Sequence, residues 1–286
     1  MKLLICSDGS EQAERALQVG TALAVHCQGE VTLLGIVEAR GQSQALLESL
    51  KRGHALLEDK RIHTELITRS GEPVEEIRKR TEEAAYDLVV IGAVRKAARG
   101  MFWVSSSAYR IIKEIQPPVL VVTGGCTTLK RILLCSGGKR YIETAVRLTG
   151  KLAHCMGASV TLLHVMAQPP ALYASLPRME ETVAAVLNSQ SELGINLRRD
   201  KEILDSLGVP VEVRLRRGPV LEQILQETRQ GNYDLTVTGS APGSSFRTYI
   251  LGDISQELVN RSTCAVLVAR SLEAPREKRS GVRRWL

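Results

Sequence analysis

The feature that most constrains this chain is that it contains one pattern twice. VTLLGIV at Val31–Val37 returns as VTLLHVM at Val160–Met166, an offset of 129 residues. The same offset carries Cys6-Ser7-Asp8-Gly9 onto Cys135-Ser136-Gly137-Gly138. Further on, YDLVV at Tyr86 returns as YDLTV at Tyr233, now at an offset of 147, which also carries Gly71 onto Gly218 and Val119-Leu120-Val121 onto Val266-Leu267-Val268. The two offsets differ by 18, which marks one insertion in the second half between residues 167 and 217. A repeat this long is a duplicated domain, and 286 residues suffice for two cores of ordinary size.

Each half reads as strands alternating with helices. In the first, Leu3–Cys6 is a short apolar run, and Ala13, Ala16, Leu17, Gly20 and Ala24 keep helical spacing. Val31–Val37 is a second strand, residues 42–60 carry leucines at helical intervals, and Ile62–Thr68 is a third strand. A helix starts at Gly71-Glu72-Pro73 with acids in its first turn, where the helix dipole favours them. Leu88–Ile91, a helix over Ser106–Ile115 and a strand at Val119–Val122 complete the unit, with Pro117-Pro118 between the last two. With no hairpin signal, the pattern predicts α/β architecture: two doubly wound parallel sheets of five strands, Rossmann-like, one per half.

The expected domains are 1–124 and 129–270, with Gly124–Thr128 as linker and 271–286 as a disordered basic tail. The last strands, Val119–Val122 and Val266–Val268, are the expected pairing edges, since a bare apolar edge needs cover. In the second half the insertion predicts one long helical region, roughly Met179–Leu207, after an irregular stretch at Pro169-Pro170. Val209, Val211, Val213 and Leu215 alternate, as in a half-exposed strand.

Composition excludes several classes. No apolar run approaches the ~20 residues that span a bilayer, and residues 1–7 are too short for a signal peptide, so a soluble, cytoplasmic chain is expected. The formal charge is +7, but part of the excess lies in the tail, and no stacking aromatics interleave with the basic residues. Nucleic-acid binding is therefore not expected. Cys6, Cys27, Cys126, Cys135, Cys155 and Cys264 form no CxxC pair and no metal-ligand spacing, and read as reduced thiols. His26, His54, His63, His154 and His164 share no local motif with a nucleophile and read as packing residues. Lys51, Arg52, Lys60 and Arg61 read as solvated. Nothing here composes a catalytic set, so binding without turnover is the expectation.

Chemistry concentrates where an apolar strand opens into a loop and then a helix. Tyr86 to Ile112 reads as strand, Gly92, a small-residue and basic loop, then Ser105-Ser106-Ser107 at a helix start. Backbone N–H groups at such a start hold anions. In an open parallel sheet, ligands bind beyond the carboxyl ends of the strands, where the winding reverses. If strand one neighbours strand four, Asp8 faces Gly92 across that crevice, with a carboxylate for a ribose hydroxyl and a loop for phosphates.

LLICSDGS, VTLLGIV, YDLVVIG and PPVLVV together resemble the universal stress protein family, here as two tandem domains covering essentially residues 1–270. The resemblance implies a stress-response or regulatory role and ATP or another adenine nucleotide as ligand, with a nucleotide-bound Mg²⁺ as the one metal that could accompany it. It also implies domain pairing, within the chain or between chains as a homodimer. In ATP-binding members the loop reads Gly, two residues, Gly, nine residues, Gly, then Ser or Thr. The first half keeps Gly92 and Ser106 and has Arg95 and Ser105 at the other glycines; Ser107 follows. By the resemblance Asp8 matches the ribose-side acid, and Ile36 and Ile91 match apolar residues beside the base. The second half keeps Gly239 and Gly252 but has Pro242, Asp253 and Gly137 at the second glycine, the hydroxyl and the acid. Nucleotide binding is therefore expected in the first half, and the competing reading is a scaffold that binds none and acts through protein contacts. Ser136-Gly137-Gly138 also resembles the start of the ATP pyrophosphatase loop SGGxDS, but Lys139-Arg140 replace Asp-Ser and speak against adenylating chemistry.

Overall fold

A computed structural model gives the fold. It describes residues 1–37, 43–93, 95–98, 101–104, 106–123, 128–166, 182–242, 249–250 and 252–270. The first half runs β1 (Lys2–Ser7), α1 (Glu11–His26), β2 (Glu30–Val37), α2 (Ser43–Asp59), β3 (Thr64–Ser70), α3 (Pro73–Glu83), β4 (Leu88–Gly92), β5 (Arg95–Ala98), β6 (Met101–Val104), α4 (Ser106–Glu114) and β7 (Val119–Val122). The second runs β8 (Arg131–Ser136), a 3-10 turn at Arg140–Ile142, α5 (Glu143–Met156), β9 (Ser159–Met166), α6 (Val183–Asn188) and α7 (Glu192–Ser206). It ends with β10 (Val211–Arg217), α8 (Val220–Gln230), β11 (Leu235–Pro242), β12 (Tyr249–Ile250), α9 (Asp253–Arg261) and β13 (Ala265–Arg270).

Both halves wind the same way. The strand order is β10-β9-β8-β11-β13-β7-β4-β1-β2-β3, parallel within each half, so each half contributes the five parallel strands its sequence predicts. The two sets meet where β13 pairs antiparallel with β7, Leu267 opposite Leu120. They are thus two arms of one continuous sheet.

Side chains alternate across that sheet. On one face Leu3, Ile5, Leu33, Val90 and Leu120 join Leu134, Val237 and Leu267 in a single core under α1, α2, α5 and α7. On the other, Leu4, Leu34, Val89 and Val121 pack under α3 and α4, with Val266 and Val268 crossing over from the second half. A smaller cluster, with Leu133, Leu163, Ile224, Tyr233 and Leu258, lies under α8 and α9. The outer strands β3 and β10 carry Glu65 and Arg69, and Glu212, Arg214 and Arg216, which keeps both open edges polar.

Two expectations need correction. The long helical region of the insertion is two helices, with residues 167–181 outside the described residues. The break has a local cause: Ser189 Oγ donates back to the Val186 carbonyl, and Ser191 Oγ accepts the Gly194 N–H as the cap of α7. Hydroxyls placed this way offer the backbone an alternative to continuing the helix. A Cβ at Gly194 would meet the Val186 carbonyl oxygen, so glycine is what lets α6 pack against α7. Secondly, the alternation of strand and helix is interrupted by an antiparallel hairpin, β5–β6, where a plain loop was expected. Phe102, Trp103 and Val104 favour strand, and residues 99–100 lie outside the described residues. The second half has a counterpart, β11 extended to Pro242 and paired with β12. The Gly124–Cys126 part of the linker, residue 127 and the basic tail lie outside the described residues.

Candidate functional site

In the first half β1 lies between β2 and β4, with Leu3 opposite Leu88 and Ile5 opposite Val90. The chain winds outward in opposite senses from this pair, so the β1/β4 boundary is the switch point. Asp8 and Gly92 leave the carboxyl ends of these two adjacent strands, as the sequence predicts. Asp8 is exposed; its Oδ1 accepts the Ser10 N–H at 2.9 Å, a turn that aims the chain into α1. Ser10 Oγ in turn caps α1 by accepting the Ala13 N–H. Ser7 Oγ, buried below, accepts the Gly9 N–H.

Gly92 has a packing reason to be glycine. A Cβ there would collide with the Gln12 carbonyl in the first turn of α1, so the helix can cross the end of β4 only where no side chain stands. Ile36 and Ile91 are buried together in the core under α3 and α4. Arg95 is the first residue of β5; Ser106 opens α4 and Ser107 is half-buried in its first turn. Ser105 lies outside the described residues. The structure therefore gathers Asp8 and Gly92 at one edge with Ile91 and Ile36 beneath. The loop places its basic residue in a hairpin instead of an open turn. That hairpin packs through β6 on α9 of the second half, while β12 packs on α4 of the first.

The corresponding edge of the second half is built differently. Gly137 is exposed where Asp8 stands, and Gly138 donates its N–H to Ser136 Oγ. Here α7 supplies the polar groups: Asp200 lies 3.4 Å from the Ser136 hydroxyl, which donates to it, and Asn196 Nδ2 donates to the Gly138 carbonyl at 2.9 Å. His164 Nδ1 lies 2.9 Å from the Ser136 carbonyl and carries the proton of that contact. Asp200 is 4% exposed. Burial pushes its carboxyl up to about 6, against the hydrogen bond from Ser136 and the charge of Arg199, which pull it down. Sequence reasoning missed this group. Its signal is Asn196 and Asp200 on the face that Leu193, Leu197 and Leu204 make apolar, with Asp200 at the position of Gly53 in the repeat.

Other details depart from expectation. Gly252 caps α9, and Asp253 is its first residue and is exposed. His26, His63 and His154 are exposed and not packing residues, whereas Lys51, Arg52, Lys60 and Arg61 are exposed as expected. Cys6, Cys27, Cys135, Cys155 and Cys264 are free thiols, and Cys126 lies outside the described residues. Among the described residues no group of His, Cys, Asp and Glu could hold a metal ion, and no helix is long and apolar enough to cross a membrane.

The model of the universal stress protein family matches twice, over residues 1–123 and 128–270. Universal stress protein Slr1230 of Synechocystis is 22% identical, covering 94% of this chain and 99% of its own length. Universal stress protein MJ0531 of Methanocaldococcus jannaschii is 30% identical over 42% of this chain and 81% of its own. Among solved structures, a universal stress protein from Archaeoglobus fulgidus superposes with a TM-score of 0.70 at 20% identity, covering 94% of this chain and 98% of its own. At that identity the likeness speaks for the fold.

Proposed function

Since the chain belongs to the universal stress protein family, we propose that it is a cytoplasmic stress-response or regulatory protein that binds an adenine nucleotide in its first half, without turning it over. One observation carries this reading. The exposed Asp8 carboxylate and Gly92 leave neighbouring strands at the switch point, the place in this architecture where a ribose and its phosphates fit. Asp8 uses Oδ1 on the Ser10 N–H, and its Oδ2 would accept a ribose hydroxyl. The start of α4 at Ser106-Ser107 would face the phosphates with N–H groups and hydroxyls, and Arg95 would add a cation. A bound ATP would bring the Mg²⁺ it carries. In the second half the acid is missing, and Asp253 stands at the first turn of α9 where it would repel phosphate oxygens.

Titration calorimetry on the full chain with ATP, ADP, AMP and cAMP tests the reading. One site per chain is expected. Asp8→Ala should weaken it at least tenfold, about 1.4 kcal/mol, and Asp253→Ala should leave it unchanged. Two sites per chain, or binding lost in Asp253→Ala and kept in Asp8→Ala, would reject the assignment.

A second reading, a scaffold that binds no nucleotide, is favoured by Gly92 itself. Its glycine is explained by the passage of α1 alone, and both switch-point loops already have protein partners, β6 on α9 and β12 on α4. Under this reading the pair of halves, alone or as a homodimer, presents a surface to other proteins. Mass spectrometry of small molecules that co-purify with the chain separates the two: an adenine nucleotide supports the first, and none, with flat calorimetry, supports the second.

A further inference from the structure

The two halves also meet away from the sheet, where α1 packs against α5. A groove of about 1260 Å³ runs along this contact, and Cys27 and Cys155 both line it. Cys27 follows the last residue of α1 and Cys155 is the penultimate residue of α5, so each thiol sits at the end of a rigid helix from a different half. Both are half-exposed, whereas Cys6 and Cys264 are buried. Cys155 lies near enough across the junction to raise the Cys27 thiol. Neither belongs to the duplicated pattern, since the repeat puts Met156 at the place of Cys27 and His26 at the place of Cys155.

We propose that Cys27 and Cys155 are a dithiol site for small-molecule disulfides, whose product is a bond stapling the first half to the second. Thiols at the ends of two packed helices that line one groove can be brought together by a movement of the helix ends, and the groove admits a tripeptide-sized oxidant. The exchange proceeds in two steps. Cys155 loses its proton to solvent and attacks one sulfur of the small disulfide, expelling one thiolate, which takes up a proton, and leaving a mixed disulfide. Cys27 then loses its proton and attacks the Cys155 sulfur, forming the Cys27–Cys155 bond and releasing the second small thiol. Two protein thiols are oxidised and one small disulfide is reduced to two thiols. Burial and the neighbouring Cys155 raise the Cys27 thiol, so Cys27 is the poorer attacking group and acts second, when the mixed disulfide on Cys155 makes the step intramolecular. The staple spans the linker and ties the halves at a second point besides β7 and β13, independently of any nucleotide.

Reduced full-length chain treated with oxidised glutathione, then alkylated and digested without reductant, tests this. The expected product is one peptide pair joining Cys27 to Cys155 within a chain, reversed by reductant, with the other four cysteines alkylated. Cys27→Ser should instead trap a glutathione adduct on Cys155, and Cys155→Ser should leave Cys27 alkylated. Thermal unfolding of the oxidised wild type should shift upward by several degrees, and Cys27→Ser should show no shift. A cross-link through Cys126 or between chains, stable adducts on both cysteines, or no reaction would overturn the site. A Cys27–Cys155 bond that leaves the unfolding midpoint unmoved would overturn the stapling role.

Discussion

Asp200 shows how one side chain can carry a pH dependence for the whole fold. Its folded-state pKa, about 6, stands above its unfolded value, so the native chain binds the extra proton between about pH 4 and pH 6. Its contribution to stability is therefore complete below that window and lost as pH rises through it. Asp200→Asn keeps a group able to bond Ser136 and carries no charge. The variant should gain about 3 kcal/mol over wild type at pH 7.5 and little at pH 4, measured by urea unfolding at both. An equal effect at the two pH values would reject the titration. The contrast with Asp8 explains which residues were legible. Asp8 and Gly92 stand at the ends of strands that announce themselves by apolar runs, so pattern alone brings them together. Asp200, Asn196 and His164 converge on Ser136 and Gly138 only because α7, packed on α5 and β10, reaches the end of β8, a contact with no fixed sequence spacing.

Among the elements, the ones read correctly are those whose apolar period is strong and whose ends carry capping chemistry. β1, β2 and β4 are continuous apolar runs, and α3 starts at Glu72-Pro73 with the Glu72 carboxylate accepting the Glu75 N–H. The missed elements are short ones decided by neighbours. The β5–β6 hairpin is held against α9, and α6 ends on hydroxyls whose effect depends on α7 being there to pack against. The equivalent helices α3 and α8 also show that identical folds can use opposite charges. Arg80 meets Glu65 and the Tyr86 hydroxyl in the first half; Glu227 meets Arg214, Arg216 and the Tyr233 hydroxyl in the second. Burial pushes the Glu227 carboxyl up, but the bonds from Arg216, Tyr233 and Arg214 outweigh it and hold it below the usual range. A prediction at this scale concerns Ser191, which caps α7 and ends the break in the insertion. Ser191→Ala should cost about 1 kcal/mol in urea unfolding, and Ser191→Asp, which keeps an acceptor, should recover most of it. No loss in the alanine variant would mean that α6 packing alone sets the start of α7.

At the scale of the molecule, the duplication is what made the architecture readable, because each half confirms the other's strand pattern. It could not reveal where the halves have diverged to lock together. The central case is Arg270, the last residue of β13, which is 3% exposed. Its guanidinium crosses the junction into the first half and donates to the Ile112, Ile115 and Pro117 carbonyls, and also to Ser240 Oγ. It thereby satisfies the carbonyl end of α4, the place where a helix dipole favours a cation. The repeat puts Thr123 at the same place in the first half, where its hydroxyl donates to the Cys264 carbonyl across the same junction. Equivalent positions thus tie the halves reciprocally, one with a short neutral bond and one with a buried fork. Arg270→Ala would orphan three carbonyls and open a cavity, so it should cost about 3–5 kcal/mol. Arg270→Lys keeps the charge but cannot reach several carbonyls in a plane, and should recover less than half of that. Because the three carbonyl bonds that are lost brace the end of α4 and the approach to β7, the first half should unfold earlier, turning one cooperative transition into two. Calorimetric unfolding of wild type and both variants decides it. A cost below about 1 kcal/mol with a single transition would show that β7–β13 pairing and the shared apolar core couple the halves without the arginine.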